Sequence, residues 1–150
     1  KAGRDAKDIR ICSVLATVLE PTREAHLKKL VGRMATYMQA PHYAEMLVDL
    51  NGWDPQVLED FRAHPAVSSI PGAIDSVATL AQLEEIEKLI PQEWLSAAAV
   101  GSDEDCARRI AQELEYGADE VCIHGSTPDE FAPVIEAYRT MKNNPVGEAS

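Results

Sequence analysis

Two short turns and one histidine are the residues best placed to do chemistry. Gly101-Ser102 and Gly125-Ser126 each follow an apolar run and precede a helical pattern. Backbone N–H groups at a strand-to-helix turn are unpaired and the helix dipole favours an anion, so a phosphate fits either turn. His124 closes the second apolar run, where an imidazole could bond a ligand's oxygens or shuttle a proton. The competing reading makes Ser102 and Thr127 ordinary caps, the glycines turn residues and His124 a packed side chain. Asp103, Glu104 and Asp105 weigh against a phosphate at the first turn, because they crowd it with negative charge.

Other chemistries lack their residues. There is no His-Glu-x-x-His, Cys-x-x-Cys or EF-hand spacing, so no metal site is expected. His26, His42 and His64 lie in polar or helix-end contexts. A Gly-x-Ser-x-Gly elbow, a Gly-x-x-x-x-Gly-Lys loop and a Gly-x-Gly-x-x-Gly turn are all missing. Lys28, Lys29 and Arg33 could bind an acidic substrate or form a solvated helix face. Tyr37 and Trp53 could line a pocket or pack in a core.

Composition narrows the classes further. The chain has 150 residues, with 25 Asp plus Glu against 14 Lys plus Arg, a net charge of −11 and a pI near 4.7. Hydrophobic residues at 45 % and charged residues at 26 % are the proportions of a soluble globular domain with one sizeable core. An acidic chain without clustered Lys and Arg is not expected to bind nucleic acid. No apolar run approaches the roughly 20 residues that span a bilayer, so no membrane partner is expected. The opening Lys1-Ala2-Gly3-Arg4-Asp5 does not read as a signal peptide. It also lacks Met, as a trimmed terminus or a segment of a longer chain would. Three cysteines (Cys12, Cys106 and Cys122) suit a reducing cytoplasm, and all three are expected to be free and buried.

The elements that must position these residues follow from periodicity. Residues 9–19 are β-branched and apolar on both alternating faces, which predicts a strand covered on both sides. Glu20-Pro21 ends it. Thr22 caps a helix with an apolar stripe at Leu27, Leu30, Val31, Met34 and Met38. A second helix runs from Tyr43 to Leu50 and closes at Asn51-Gly52; a third opens at Asp54-Pro55. Residues 65–75 are expected to be a loop or short turns, and residues 80–90 helix. Residues 94–117 and 119–142 then read as two strand–turn–helix units. The first has a short strand at 94–100 and the second a helix capped by Thr127-Pro128-Asp129-Glu130. Its buried stripe is Phe131, Val134, Ile135, Tyr138 and Met141, and residues 146–150 are expected to be a loose tail. Strand, turn, helix, repeated, is the grammar of a parallel sheet. Three strands leave that sheet with open edges and one side of its core without a partner.

Several runs resemble one family. Leu89-Ile90-Pro91-Gln92-Glu93-Trp94-Leu95 leads into Ala97-Ala98-Ala99-Val100-Gly101-Ser102, and later come Glu115-Tyr116-Gly117-Ala118-Asp119-Glu120-Val121 and Ile123-His124-Gly125-Ser126-Thr127-Pro128. With Gly32-Arg33-Met34-Ala35-Thr36-Tyr37, Asn51-Gly52-Trp53-Asp54 and Gly72-Ala73-Ile74-Asp75, they resemble the end of luciferase-like monooxygenases. The likeness is to the branch that uses an 8-hydroxy-5-deazaflavin coenzyme. It implies that residues 1–150 are the C-terminal part of a (β/α)8 TIM-type barrel, with residues 22–90 as a helical insertion. It also implies an oxidoreductase that moves hydride between the deazaflavin and an organic small-molecule substrate, with FMN as the alternative coenzyme. This chain would form one wall of the site, through Gly101, Ser102, His124, Gly125 and Ser126. The family's other coenzyme contacts lie on earlier strands, so no catalytic residue is assigned. The partner would be the missing N-terminal half of the barrel or a homo-oligomer mate. The other reading is a non-enzymatic interaction module that presents its helices.

Overall fold

The computed structural model describes residues 3, 5–19 and 22–143. The stop at Glu20-Pro21 and the tail at 146–150 lie outside them. The chain divides into two compact units, Lys1–Pro21 with Ala98–Ser150, and Thr22–Ala97.

The first unit is built on strand β1 (Cys12–Leu19). β1 pairs in parallel with β2 (Ala99–Gly101) on one side and β3 (Glu120–His124) on the other, giving the order β2-β1-β3. Thr17, Val18 and Leu19 register with Ala99, Val100 and Gly101, while Cys12 to Ala16 register with Glu120 to His124. Between β2 and β3 runs helix α9 (Asp103–Glu115), and α10 (Pro128–Asn143) follows β3. Both helices pack on the sheet face that carries Leu15, Ala99, Val121 and Ile123, closing a core around Cys106, Ala107, Phe131 and Val134. Beneath the same face, Ser13 Oγ donates to Glu113 Oε2 at 2.5 Å, and Arg109 pairs with Glu113.

This topology overturns the barrel. Successive strands of a (β/α)8 barrel lie side by side in chain order and the sheet closes on itself. Here the first strand sits in the middle of three and the sheet is open. Most described residues outside it are helical. The chain is therefore not the C-terminal part of a TIM-type barrel. The likeness to luciferase-like monooxygenases fails with that fold.

The second unit is helical. Thr22 Oγ1 accepts the Ala25 N–H at 3.1 Å and opens α1 (Arg23–Ala25), which continues through a π-helical stretch (His26–Val31) into α2 (Gly32–Gln39). α3 (Tyr43–Asn51) ends at Gly52 in the left-handed region, and α4 (Pro55–Ala63) starts from Asp54, whose carboxylate accepts the Gln56 N–H at 2.9 Å. Two short helices, α5 (Pro65–Ser68) and α6 (Ile74–Val77), stand where a loop or short turns were expected. The α6 N-terminus finds its acceptors on α2: Gln39 Oε1 takes the Ile74 N–H and Thr36 Oγ1 the Asp75 N–H. Partners so remote in sequence leave no local cap signal. α7 (Leu80–Glu87) begins with a capping box between Thr79 and Gln82. α8 (Gln92–Leu95) replaces the amino half of the strand expected at 94–100, because Trp94 turns inward. Its indole stacks on Trp53 with centroids 5.3 Å apart and meets the edge of Phe61 at 6.5 Å.

One backbone position is strained. His42, at the corner between α2 and α3, has φ +66° and ψ −32°, and its side chain caps nothing. A Cβ at positive φ costs about 1–3 kcal/mol, which a glycine avoids at a smaller entropic cost. His42→Gly is accordingly expected to raise stability in urea unfolding by about 1 kcal/mol. A loss of stability would mean that the imidazole makes a contact of its own.

Candidate functional site

The five residues singled out at the turns fall into two separate groups. Gly101 registers with Leu19 on one edge of β1, and His124 with Ala16 on the other. Two strand spacings and three residues of offset separate them by about 14 Å. His124 is half-buried on the face opposite the two helices, the face it shares with Ala16 and Val14. Gly125 takes φ +96°, and Ser126 Oγ donates to the Thr17 carbonyl at 3.5 Å, so this turn is tied to β1.

Both helix N-termini are already occupied by carboxylates of their own chain. At α9, the Ser102 N–H and hydroxyl donate to Asp105 Oδ2 at 3.0 and 2.9 Å, and Ser102 Oγ accepts the Asp105 N–H. The bonds from Ser102, with Arg108 beside them, hold the Asp105 carboxyl below its usual range. At α10, the Thr127 N–H donates to Glu130 Oε2 at 2.8 Å and Thr127 Oγ1 accepts the Glu130 N–H. A carboxylate thus stands where an incoming phosphate would have to bind. Gly101 has a structural reason of its own: at φ +134°, a Cβ there would lie 2.6 Å from Asp105 Oδ2.

Among the described residues no group of three His, Cys, Asp or Glu side chains could hold a metal ion. Nor is any described helix long and apolar enough to cross a membrane. Compared with known protein families, with curated proteins and with solved structures, the chain matches none. Hydride transfer between a deazaflavin and a substrate was inferred from the barrel. With an open three-stranded sheet in its place, that oxidoreductase assignment falls, and the FMN-dependent monooxygenase alternative falls with it.

The cysteines correct a further expectation. Only Cys106 is buried, and burial, with Asp105 and Asp103 nearby, pushes its thiol up to about 11. Cys12 and Cys122 are exposed on neighbouring strands, on the sheet face away from α9 and α10. Their positions are diagonal in the register, roughly 8 Å apart at Cα, too far for an unstrained disulfide. Val14, which registers with Cys122 between them, is 64 % exposed. That the amino-terminal part of this face lies open, while Val18 further along it is buried, is the feature that the sequence did not reveal, since an alternation-free strand reads as covered twice.

Gly101→Ala is expected to destabilise the chain by about 1–2 kcal/mol, through positive φ and displacement of Asp105. The Asp105 pKa is lowered on folding, so the cap's contribution is present above the ordinary value of 3.8 and is lost as pH falls through the lowered one. Urea unfolding at neutral pH and in acid measures both; an unaltered midpoint for Gly101→Ala at neutral pH would contradict this role.

Proposed function

We propose that the chain is an assembly module, whose sheet docks through the exposed amino-terminal part of the face away from α9 and α10 on the same patch of a second copy. The observation that carries this reading is the exposure of Val14 in the amino-terminal half of β1, flanked by Cys12, Cys122 and the half-buried Ala16, while Val18 at the carboxyl end of the same face is buried. Parallel sheets are ordinarily covered on both faces, because their strands are apolar on both. α9 and α10 cover only one face.

The charges favour a like partner. Around Val14 the patch holds the two thiols and the half-buried His124 imidazole but no carboxylate, so two chains of net charge −11 can meet there without carboxylates opposed. At its rim, Arg10 Nη2 pairs with Glu120 Oε2 at 3.2 Å, and both side chains are largely exposed. A rim with one charge of each sign is self-complementary across a two-fold axis, where Arg10 of each copy can face Glu120 of the other. The edge is open as well: β2 pairs only with the last three residues of β1 and leaves Cys12 to Ala16 unpaired by it on that side.

Sedimentation equilibrium is expected to give about twice 16.4 kDa at high concentration. Val14→Glu should return the mass to 16.4 kDa with unchanged helix content, since the substituted side chain is exposed in the single chain. A wild-type monomer at the highest soluble concentration, or a Val14→Glu dimer, would overturn the proposal.

A further inference from the structure

In the second unit a pocket of about 260 Å³ opens where α3 ends and α4 begins. Val48, Trp53, Pro55 and Leu58 form its apolar walls, and Glu45 and Asp49 stand on its α3 side. The volume is below that of a drug-sized site, so it suits one small group or a single side chain.

What the walls can offer decides what the pocket takes. The Gly52 N–H is held by the Asp49 carbonyl at 3.2 Å and the Trp53 N–H by the Val48 carbonyl at 2.9 Å. Pro55 has no N–H, and Asp54 draws the Gln56 N–H to its own side chain. The backbone donors that would welcome an anion are therefore engaged.

The electrostatics point the other way. Val48, Asp49 and Gly52 belong to the C-terminal turn of α3, the negative end of its dipole, and no basic residue lies in that turn. Glu45 is engaged by Arg62, which holds its carboxyl down to about 2 and offsets its charge. Asp49 pairs with no cation among the described residues, so its carboxylate sets the sign of the pocket. The Trp53 indole lines the wall, anchored from behind by its stack on Trp94. An acidic group beside an indole and an apolar wall is the chemistry that recognises an organic cation.

We infer that this pocket binds a primary alkylammonium group, its charge on Asp49 and the α3 C-terminus and its alkyl stem against Val48, Trp53 and Leu58. The group can come from a free alkylamine or from a lysine side chain of another protein. The site does not depend on assembly through the sheet.

The test is a titration of the full chain with n-butylammonium, read by tryptophan fluorescence, with n-butanol as the neutral isostere. A saturable change with butylammonium is expected, and none with butanol. Asp49→Asn should weaken binding about fivefold, as for an exposed charge pair, and Asp49→Lys should abolish it. Asp49 is exposed on a helix, so both variants should keep the wild-type circular dichroism. Equal responses to butanol, no saturable response, or an Asp49→Lys variant that binds as the wild type does would each overturn the inference. Nα-acetyl-lysinamide distinguishes the sources. Binding as tight as butylammonium's supports a protein lysine as ligand, and binding by butylammonium alone supports a free amine.

Discussion

β1 is hydrogen-bonded along both edges, to β2 at its carboxyl end and to β3 at its amino end, and both pairings are parallel. A parallel pairing cannot be closed by a tight turn, so each connection must carry enough chain to return to the starting end of the sheet. The return from β1 to β2 is the whole second unit, and the return from β2 to β3 is α9. With α10 added, the helices of the first unit suffice for one face of the sheet. The open part of the other face, with Val14 and the two exposed thiols, follows from that shortage of layers, although Val18 at its carboxyl end is buried.

The same constraint explains why the turns at the strand ends do not form one site. β1 stands between β2 and β3 and keeps Gly101 and His124 on opposite sides of itself. Each turn then settles its unpaired N–H groups locally, with Asp105 at α9 and Glu130 at α10. The acidic composition contributes here too, because three acidic residues begin α9 and a fourth and fifth lie in the first turn of α10.

Local signals were legible in the sequence. Thr22, Asp54 and Thr127 cap the helices that their spacing predicts, and Gly52 ends α3 in the left-handed region. The parallel sense of three strands was also readable from the strand–turn–helix grammar, although the second, expected at 94–100, is confined to Ala99–Gly101. Their order was not, because nothing in residues 9–19 says whether neighbours will join one edge or both. The likeness of scattered runs to a barrel family supplied an order that the structure does not have. Gly32-Arg33 and Asp75, two parts of those runs, do meet: a Cβ on Gly32 would touch the Asp75 backbone at 3.4 Å, and Arg33 pairs with Asp75 at 2.9 Å. Their pairing has a packing explanation that calls for no coenzyme. The Trp53 pocket was half-legible, since the indole was marked as a wall or a packed residue, and it lines the pocket while stacking, half-buried, on Trp94. Its cation-seeking character was not, because it depends on where the Gly52 and Trp53 N–H groups turn.

The exposed patch around Val14 carries its own chemical reporters, so the most direct measurement is the alkylation rate of each thiol by iodoacetamide, resolved by peptide mass spectrometry over a range of chain concentrations. If two copies dock there, Cys12 and Cys122 react freely in dilute solution and become protected together as concentration rises, while buried Cys106 stays inert throughout. If Cys12 and Cys122 react at the same rate at every concentration while Cys106 remains protected, the chain is folded and its sheet face is bare, and docking on a second copy is contradicted.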